Sequence, residues 1–376
     1  MTVSVLGSAQ LPSEFSVRLS PAPRRTLHGD AFQRTDCNSP IHIHQGRLIA
    51  FISHYMPIGH TYRRIGERGP RFTAPLEPIR IIDDPAPDVG KWIESTWRDP
   101  AGRLYGWYHA EDLAPCPRRL FVPRIGGAVS DDDGLTWRLL APLLRAPSDM
   151  TDCGYLNGFL AGGYGDFSVV IDRERQFFYL HYSSYVADEK AQGIAVARYP
   201  IADRNAAQPR VELWRDGAWQ AGAEALASPI YPAEKGWRHP DPTAFWGPAV
   251  HYNRDLGVYV MLLNRTEGGK ADIRQEGIYC AFNEHLDRPQ DWSKPICFVK
   301  GGGWYPQIVG EGPEDGDTSA GAQSRFFMTG FSAWQITFNR GGEQEPPLHV
   351  DWFDLLAQFS RGPHGAHAAA IPPGGG

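Results

Sequence analysis

One pattern recurs five times along the chain: a run of aromatic and β-branched residues meets a short turn and returns as a second such run. Bulky or alternating apolar runs bounded by Gly, Asn and Asp read as β-hairpins. Residues 41–53 turn at Gln45 and Gly46, 92–108 at Asp99 to Gly102, 167–182 at Asp172 to Arg175, and 248–263 at Asn253 to Gly257. A fifth hairpin joins 304–310 to 325–331. Several hairpins lead into a further strand and a Trp-bearing segment, as 127–130 before Trp137, 193–198 before Trp214 and 277–282 before Trp292. A four-stranded unit needs neighbours to cover its faces, so units repeated at this spacing predict an all-β fold, a five-bladed β-propeller. The blades fall near 36–85, 92–144, 164–216, 244–299 and 303–342, with residues 12–30 left to close the ring. A pair of β-sandwiches is the structural alternative. Residues 1–342 thus form one propeller domain, 343–360 a C-terminal extension packing on it, and 361–376 a disordered tail.

Composition agrees. The 376 residues include 41 Gly and 32 Pro, which supply many turns, while 12 Trp, 15 Tyr and 18 Phe supply core area that excludes general disorder. A net charge of −6 without long runs of one sign predicts neither a nucleic-acid nor a membrane partner. No stretch reaches the roughly eighteen apolar residues that span a bilayer, and the first twenty residues lack a signal-peptide pattern, so a cytoplasmic protein is predicted. Cys37, Cys116, Cys153, Cys280 and Cys297 form an odd, scattered set without CxxC, which predicts reduced thiols and no structural zinc. The motifs GxSxG, GxxxxGK[ST] and a helix-opening GxGxxG are absent; Gly162 to Asp166 runs into a strand and makes no phosphate cradle.

Ser130-Asp131-Asp132-Asp133-Gly134-Leu135-Thr136-Trp137 fits the Asp-box pattern S-x-D-x-G-x-T-W. Its physics is that of a turn: Asp132 caps, Gly134 permits positive φ, and Trp137 packs between strands. Chemistry is expected at the heads of the inner strands, which line a central channel. There the sequence places Asp36, Glu94 and Asp166 at equivalent positions of the first three blades. Turn capping is the competing explanation for each acid alone, least so for Glu94, set between Trp92 and Trp97. Trp246, Trp304 and Tyr305 head the fourth and fifth blades and offer flat rings for a sugar face, with core packing as the alternative. Gln307, His109 and Glu111 are candidate hydroxyl partners. His42, His44, His54 and His60 crowd the first blade, but without a ligand motif they do not indicate a metal. Arg63, Arg64, Arg118, Arg119 and Arg124 suit either an acidic sugar or plain surface charge.

The five-unit layout, the carboxylate heading each of the first three blades, and the phrases Gly165-Asp-Phe-Ser-Val-Val-Ile-Asp172 and Phe178-Tyr-Leu-His-Tyr-Ser183 resemble the five-bladed β-propeller glycoside hydrolases of families 43 and 32. The resemblance implies a central funnel with three carboxylates: a general base, a pKa modulator and a general acid. By position Asp36 would be the base or nucleophile, with Glu94 and Asp166 in the other places. Glu94, flanked by aromatics, is the preferred donor, and Asp166 the group that positions sugar or stabilises charge. The implied reaction is acid/base cleavage of terminal glycosidic bonds in oligosaccharides, without an organic cofactor and with at most a structural divalent cation in the channel. A binding propeller, a polysaccharide lyase and a histidine-metal hydrolase are the alternatives. Oligomeric state is left open.

Overall fold

The protein is described from a computed structural model covering residues 14–27, 35–55, 59–66, 75–223, 225–267 and 275–360. The tail expected at 361–376 lies outside the described residues. Strands form five sheets, antiparallel apart from short parallel edge pairings. The first sheet holds Ile41–His44, Arg47–His54, His60–Gly66 and Glu77–Pro78; the second, Lys91–Arg98, Leu104–Leu113, Phe121–Ser130 and Thr136–Leu144, edged by Arg80–Ile81. Tyr164–Ile171, Phe177–Ser184, Gly193–Pro200, Glu212–Arg215 and Ala218–Ala221 make the third. Thr243–Asn253, Val258–Glu267, Gln275–Asn283 and Ile296–Gly301 are the body of the fourth. The fifth combines Gln307–Gly310, Gln323–Met328 and Phe331–Arg340 with the N-terminal strand Phe15–Thr26.

That last pairing joins the two ends of the fold, from Phe15 opposite Arg340 to Thr26 opposite Phe331. The register breaks between Pro21 and Arg25, around Pro21 and Pro23, which suit an outer edge where no further ladder needs their missing N–H. Turn chemistry explains the hairpins. Gln45 and Gly46 both have positive φ (50° and 75°), the demand of a tight two-residue turn, and the Asp172 side chain accepts from Gln176 N at 2.6 Å.

Buried apolar residues divide into slabs, one between each pair of neighbouring sheets. Phe51 of the first sheet meets Trp137 of the second. Trp107 meets Phe178 between second and third, Tyr179 joins Tyr259 between third and fourth, and Phe282 joins Phe338 between fourth and fifth. Ile41 and Phe327 close the circuit from fifth to first. Hydrogen bonds repeat that circuit from each sheet to the next. Ile93 N donates to Thr61 Oγ1 (2.8 Å), Val169 N to Ser95 Oγ (2.9 Å), Val250 N to Ser168 Oγ (3.1 Å), Tyr305 N to Asn264 Oδ1 (2.9 Å), and Ser39 N to Gln307 Oε1 (2.9 Å). The chain is an all-β propeller.

After the fifth sheet, Leu348–Val350 adds in parallel to Ile296–Gly301, and the helix Trp352–Ser360 follows, with Trp352 buried against the fourth and fifth sheets. At the hairpin of the second sheet, Asp132 accepts from Thr136 N (2.8 Å) and Thr136 Oγ1 (2.6 Å), Gly134 takes φ 81°, and Trp137 is fully buried. This segment is a packed turn.

The thiols depart from expectation. Cys116 and Cys153 form a disulfide, Cα atoms 5.4 Å apart, while Cys37, Cys280 and Cys297 are free. The partners are 37 residues apart and share no local motif. Tertiary packing of the loop after Leu113 against the approach to the third sheet, around Leu120 and Tyr155, brings them together.

Candidate active site

At one end of the channel the inner strands abandon regular geometry. Glu94 stands at a register shift between Ile93 and Ser95, and Asp166 at one between Gly165 and Phe167. The fourth sheet breaks likewise between Trp246 and Ala249. Cys37 (φ 66°), Asp166 (φ 40°), Gly247 (φ 60°) and Tyr305 (φ 52°) all adopt left-handed backbone. Bulges re-aim side chains, and three non-glycine residues at positive φ in one place mark a site whose geometry is enforced by its surroundings.

These distortions turn the expected acids inward. Glu94 is 1 % exposed; its Oε1 accepts from His109 Nδ1 at 2.8 Å and its Oε2 from Phe167 N at 3.0 Å. Asp166 accepts from the Tyr185 hydroxyl through Oδ2. Half-buried Asp36 accepts from Tyr305 Oη at 2.8 Å. Donor atoms of Cys37, Glu94, His109 and Asp166 all lie within 4.8 Å of one another. Asp36 belongs to the same field, since its charge acts on Asp166 and Glu111.

Electrostatics follow from burial. Burial pushes the Asp36 carboxyl up, against the Tyr305 hydrogen bond that lowers it. Asp166 is raised to about 6, by burial first and then by the charge of Glu94, with His109 opposing. Glu111 is raised to about 7, again by burial first, His109 pulling down and the other three carboxylates pushing up. For His109, burial disfavours the charge, but the hydrogen bond and charge of Glu94, helped by Asp166 and Glu111, outweigh it and lift the ring to about 9. Near neutral pH the site therefore combines an imidazolium with carboxyls of differing protonation.

An aromatic wall surrounds the acids. Trp92, Trp246 and Tyr305 are buried together with Cys37, and half-buried Trp237 and Trp304 pack against them. Trp246 meets Tyr305 edge-on at 5.3 Å and donates through Nε1 to Gln275 Oε1 at 3.0 Å. Trp92 Nε1 donates to His54 O at 2.8 Å.

Several expected roles change. The preferred proton donor, Glu94, has both oxygens accepting hydrogen bonds inside the protein, which suits an anchored carboxylate better than an acid. Gln307, buried at 4% exposure, accepts from Ser39 N at 2.9 Å and donates to Ser39 O at 2.8 Å, so it ties the fifth sheet to the first and is not presented to a sugar hydroxyl. His109 touches Glu94 directly. Tyr305 reaches Asp36, and Trp304 stays half-buried beside it. The first-sheet histidines do not gather: among the described residues no group of three or more metal-type donors includes them, and His42 instead meets Thr96 Oγ1 at 3.3 Å. Arg63 pairs with Glu77 at 2.6 Å, Arg64 donates to Leu27 O at 2.8 Å, and Arg124 pairs with Asp112 at 2.8 Å, so these guanidiniums serve the scaffold. Among the described residues the Cys37, Glu94, His109, Asp166 group is the one place where three or more metal-type donors come together, and there Nδ1 of His109 is engaged by Glu94 Oε1 at 2.8 Å.

Sequence reading missed Tyr185, Cys37 and Trp92 as members of the site. Cys37 adjoins Asp36, but nothing local showed that its φ would be positive; Tyr185 follows a strand and gains meaning only from Asp166 across the ladder. A cavity of about 440 Å³ lined by Trp97, Trp107, Tyr252 and Tyr259 lies elsewhere, among the second, third and fourth sheets, and none of Asp36, Glu94, Glu111 and Asp166 lines it. The converging carboxyls outweigh its volume as a guide to chemistry.

No family model matches the chain, and no curated protein does. Solved structures of similar chain arrangement do exist. One is the native arabinanase of Bacillus subtilis, 13% identical, TM-score 0.48, covering 81% of this chain and 94% of that one. Another is the catalytic domain of an α-L-arabinofuranosidase from Coprinopsis cinerea, 11% identical, TM-score 0.46, covering 89% and 100%. A third, an exo-β-1,3-galactanase from Phanerochaete chrysosporium, is 10% identical with TM-score 0.46 and covers 81% and 60%.

Proposed function

We propose that the protein is a glycoside hydrolase in which each of the five sheets is one propeller blade, and that it cleaves terminal glycosidic bonds of oligosaccharides. The observation that carries this reading is the delivery of carboxyls from three successive inner strands or strand heads into one partly enclosed, aromatic-walled field around His109. Glycosidic cleavage needs one protonated carboxyl at the leaving oxygen and one carboxylate across the ring, hence neighbouring acids with separated pKa values. Asp36, half-buried and oriented by Tyr305, is the group that takes a proton from water or attacks the anomeric carbon. Asp166, held by Tyr185, tunes the field, and Glu94 anchors His109. Trp246, Trp304 and Tyr305 supply the apolar wall against which a sugar ring packs.

Among the described residues no helix is long and apolar enough to cross a membrane. The Cys116–Cys153 bond supports an oxidising working environment, in place of the reducing one expected of a cytoplasmic protein. The test is a screen of aryl glycosides and short pentose and hexose oligosaccharides with wild type and Asp36→Asn. The reading expects turnover of at least one substrate and a fall in kcat of about 10²- to 10⁴-fold in the variant. Turnover within about tenfold of wild type removes Asp36 from the mechanism.

A further inference from the structure

We propose that Glu111 is the proton donor of this site, with His109 and Glu94 stacked behind it as positioning groups; this rests on the glycosidase reading. Leu104–Leu113 carries His109 and Glu111 two residues apart, and side chains at that spacing share one face of a strand. Glu94 fixes the imidazole from behind, Nδ1 donating to its Oε1 at 2.8 Å. The other nitrogen, Nε2, is buried, makes no hydrogen bond with a described residue, and lies 3.9 Å from Glu111 Oε1. The ring cannot swing away. Gly165 abuts it so closely that a Cβ there would stand 2.8 Å from Nε2, and Trp92 packs at 5.3 Å between ring centroids.

Access separates the three groups. The side chains of Glu94 and His109 are 0% and 3% exposed, whereas that of Glu111 is 27% exposed. A proton donor must touch the leaving group, and Glu111 is the member of the chain that can. The charged groups facing it are His109 on its own strand, Glu94 on the neighbouring strand, Asp36 ahead of the first sheet and Asp166 in the third. Burial and the three carboxylates raise its carboxyl to about 7, so that a large share of it holds a proton near neutral pH, while the imidazolium is placed to meet the carboxylate that donation creates.

The step balances. A proton passes from the Glu111 carboxyl to the glycosidic oxygen, and the C–O bond breaks with its electron pair going to that oxygen. Water bonds to the anomeric carbon and its proton passes to Asp36. The Glu111 anion then faces Nε2–H of His109 until solvent restores both carboxyls.

The experiment compares Glu111→Gln and His109→Gln with wild type on two glycosides of one sugar: a dinitrophenyl glycoside, whose leaving group needs no proton, and an alkyl glycoside, whose leaving group does. Glu111→Gln is expected to lose about 10²- to 10⁴-fold on the alkyl glycoside, to stay within about tenfold on the dinitrophenyl one, and to lose the alkaline limb of its pH profile. In His109→Gln the alkaline limb is expected to move to higher pH, because the cation that lowers the Glu111 pKa is gone. Activity on the activated substrate also reports that each variant is folded. Equal loss on both glycosides, or alkyl glycoside turnover by Glu111→Gln within about threefold of wild type, overturns the donor assignment alone. A wild type that turns over no glycoside overturns the glycosidase reading and the donor with it.

Discussion

Replacing Glu94 by Gln removes one negative charge beneath His109 and leaves the shape and one acceptor oxygen in place. The imidazole sits at about 9 against an ordinary 6.5: burial opposes its charge, and the hydrogen bond and charge of Glu94, ahead of the charges of Asp166 and Glu111, overcome that opposition. Each unit of pKa is worth about 1.4 kcal/mol, so protonation of this ring is coupled to folding by about 3 kcal/mol. A histidine whose folded-state pKa is raised contributes stability fully present below its unfolded value of 6.5 and lost as pH rises through about 9. With the His109 side chain 3% exposed, solvent screening takes little from this figure. In Glu94→Gln, burial then acts on the imidazolium without its main partner, and most of the contribution disappears. Urea unfolding of both proteins at pH values near 6.5 and 9.5 measures the difference directly. Wild type should exceed the variant by about 3 kcal/mol more at the lower pH than at the higher, a gap of several degrees in melting temperature. Parallel stability curves across that window would refute the ion pair as the organising contact of the site. So would a His109 ring that titrates near 6.5 in wild type, followed by NMR.

Without reductant, denatured protein should show three reactive thiols out of five, and all five after reduction, with stability falling by about 3–4 kcal/mol when the 37-residue link opens; five thiols before reduction would return the chain to the expected reduced state. Gly165→Ala puts a methyl group 2.7 Å from His109 Cε1 and 3.0 Å from Pro123 Cβ. Its expected effect is a stability loss of about 1–3 kcal/mol by thermal melting, with a displaced His109 ring and reduced turnover, whereas a variant of wild-type stability and activity means that the ring has room to move.

How far the sequence reaches can be judged from particular residues. The hairpins turning at Gln45-Gly46, Asp99 to Gly102, Asp172 to Arg175 and Asn253 to Gly257 were legible because strand pairing across a short turn is local: alternation, β-branching and turn chemistry all lie within about twenty residues. The same logic located Asp36, Glu94 and Asp166 at equivalent strand heads. It could not supply their partners. Glu94 looked like an acid among tryptophans, since neither His109 across the ladder nor Phe167 N from the next sheet is a sequence neighbour. Gln307 looked free for the opposite reason, because the Ser39 backbone that occupies it lies at the far end of the chain.

The sequence by itself determined the repeated strand unit, the all-β class, and which residue types stand at the mouth of the channel. Tertiary structure alone decided what those residues do. A bulge shifts a side chain by one register position, and so decides whether Glu94 and Asp166 face the channel. Closing the ring juxtaposes groups hundreds of residues apart, as with Asp36 and Tyr305, and exclusion of water there turns ordinary carboxyls into a set with separated proton affinities. Register and desolvation are sums over the whole molecule, and no local stretch of sequence contains them.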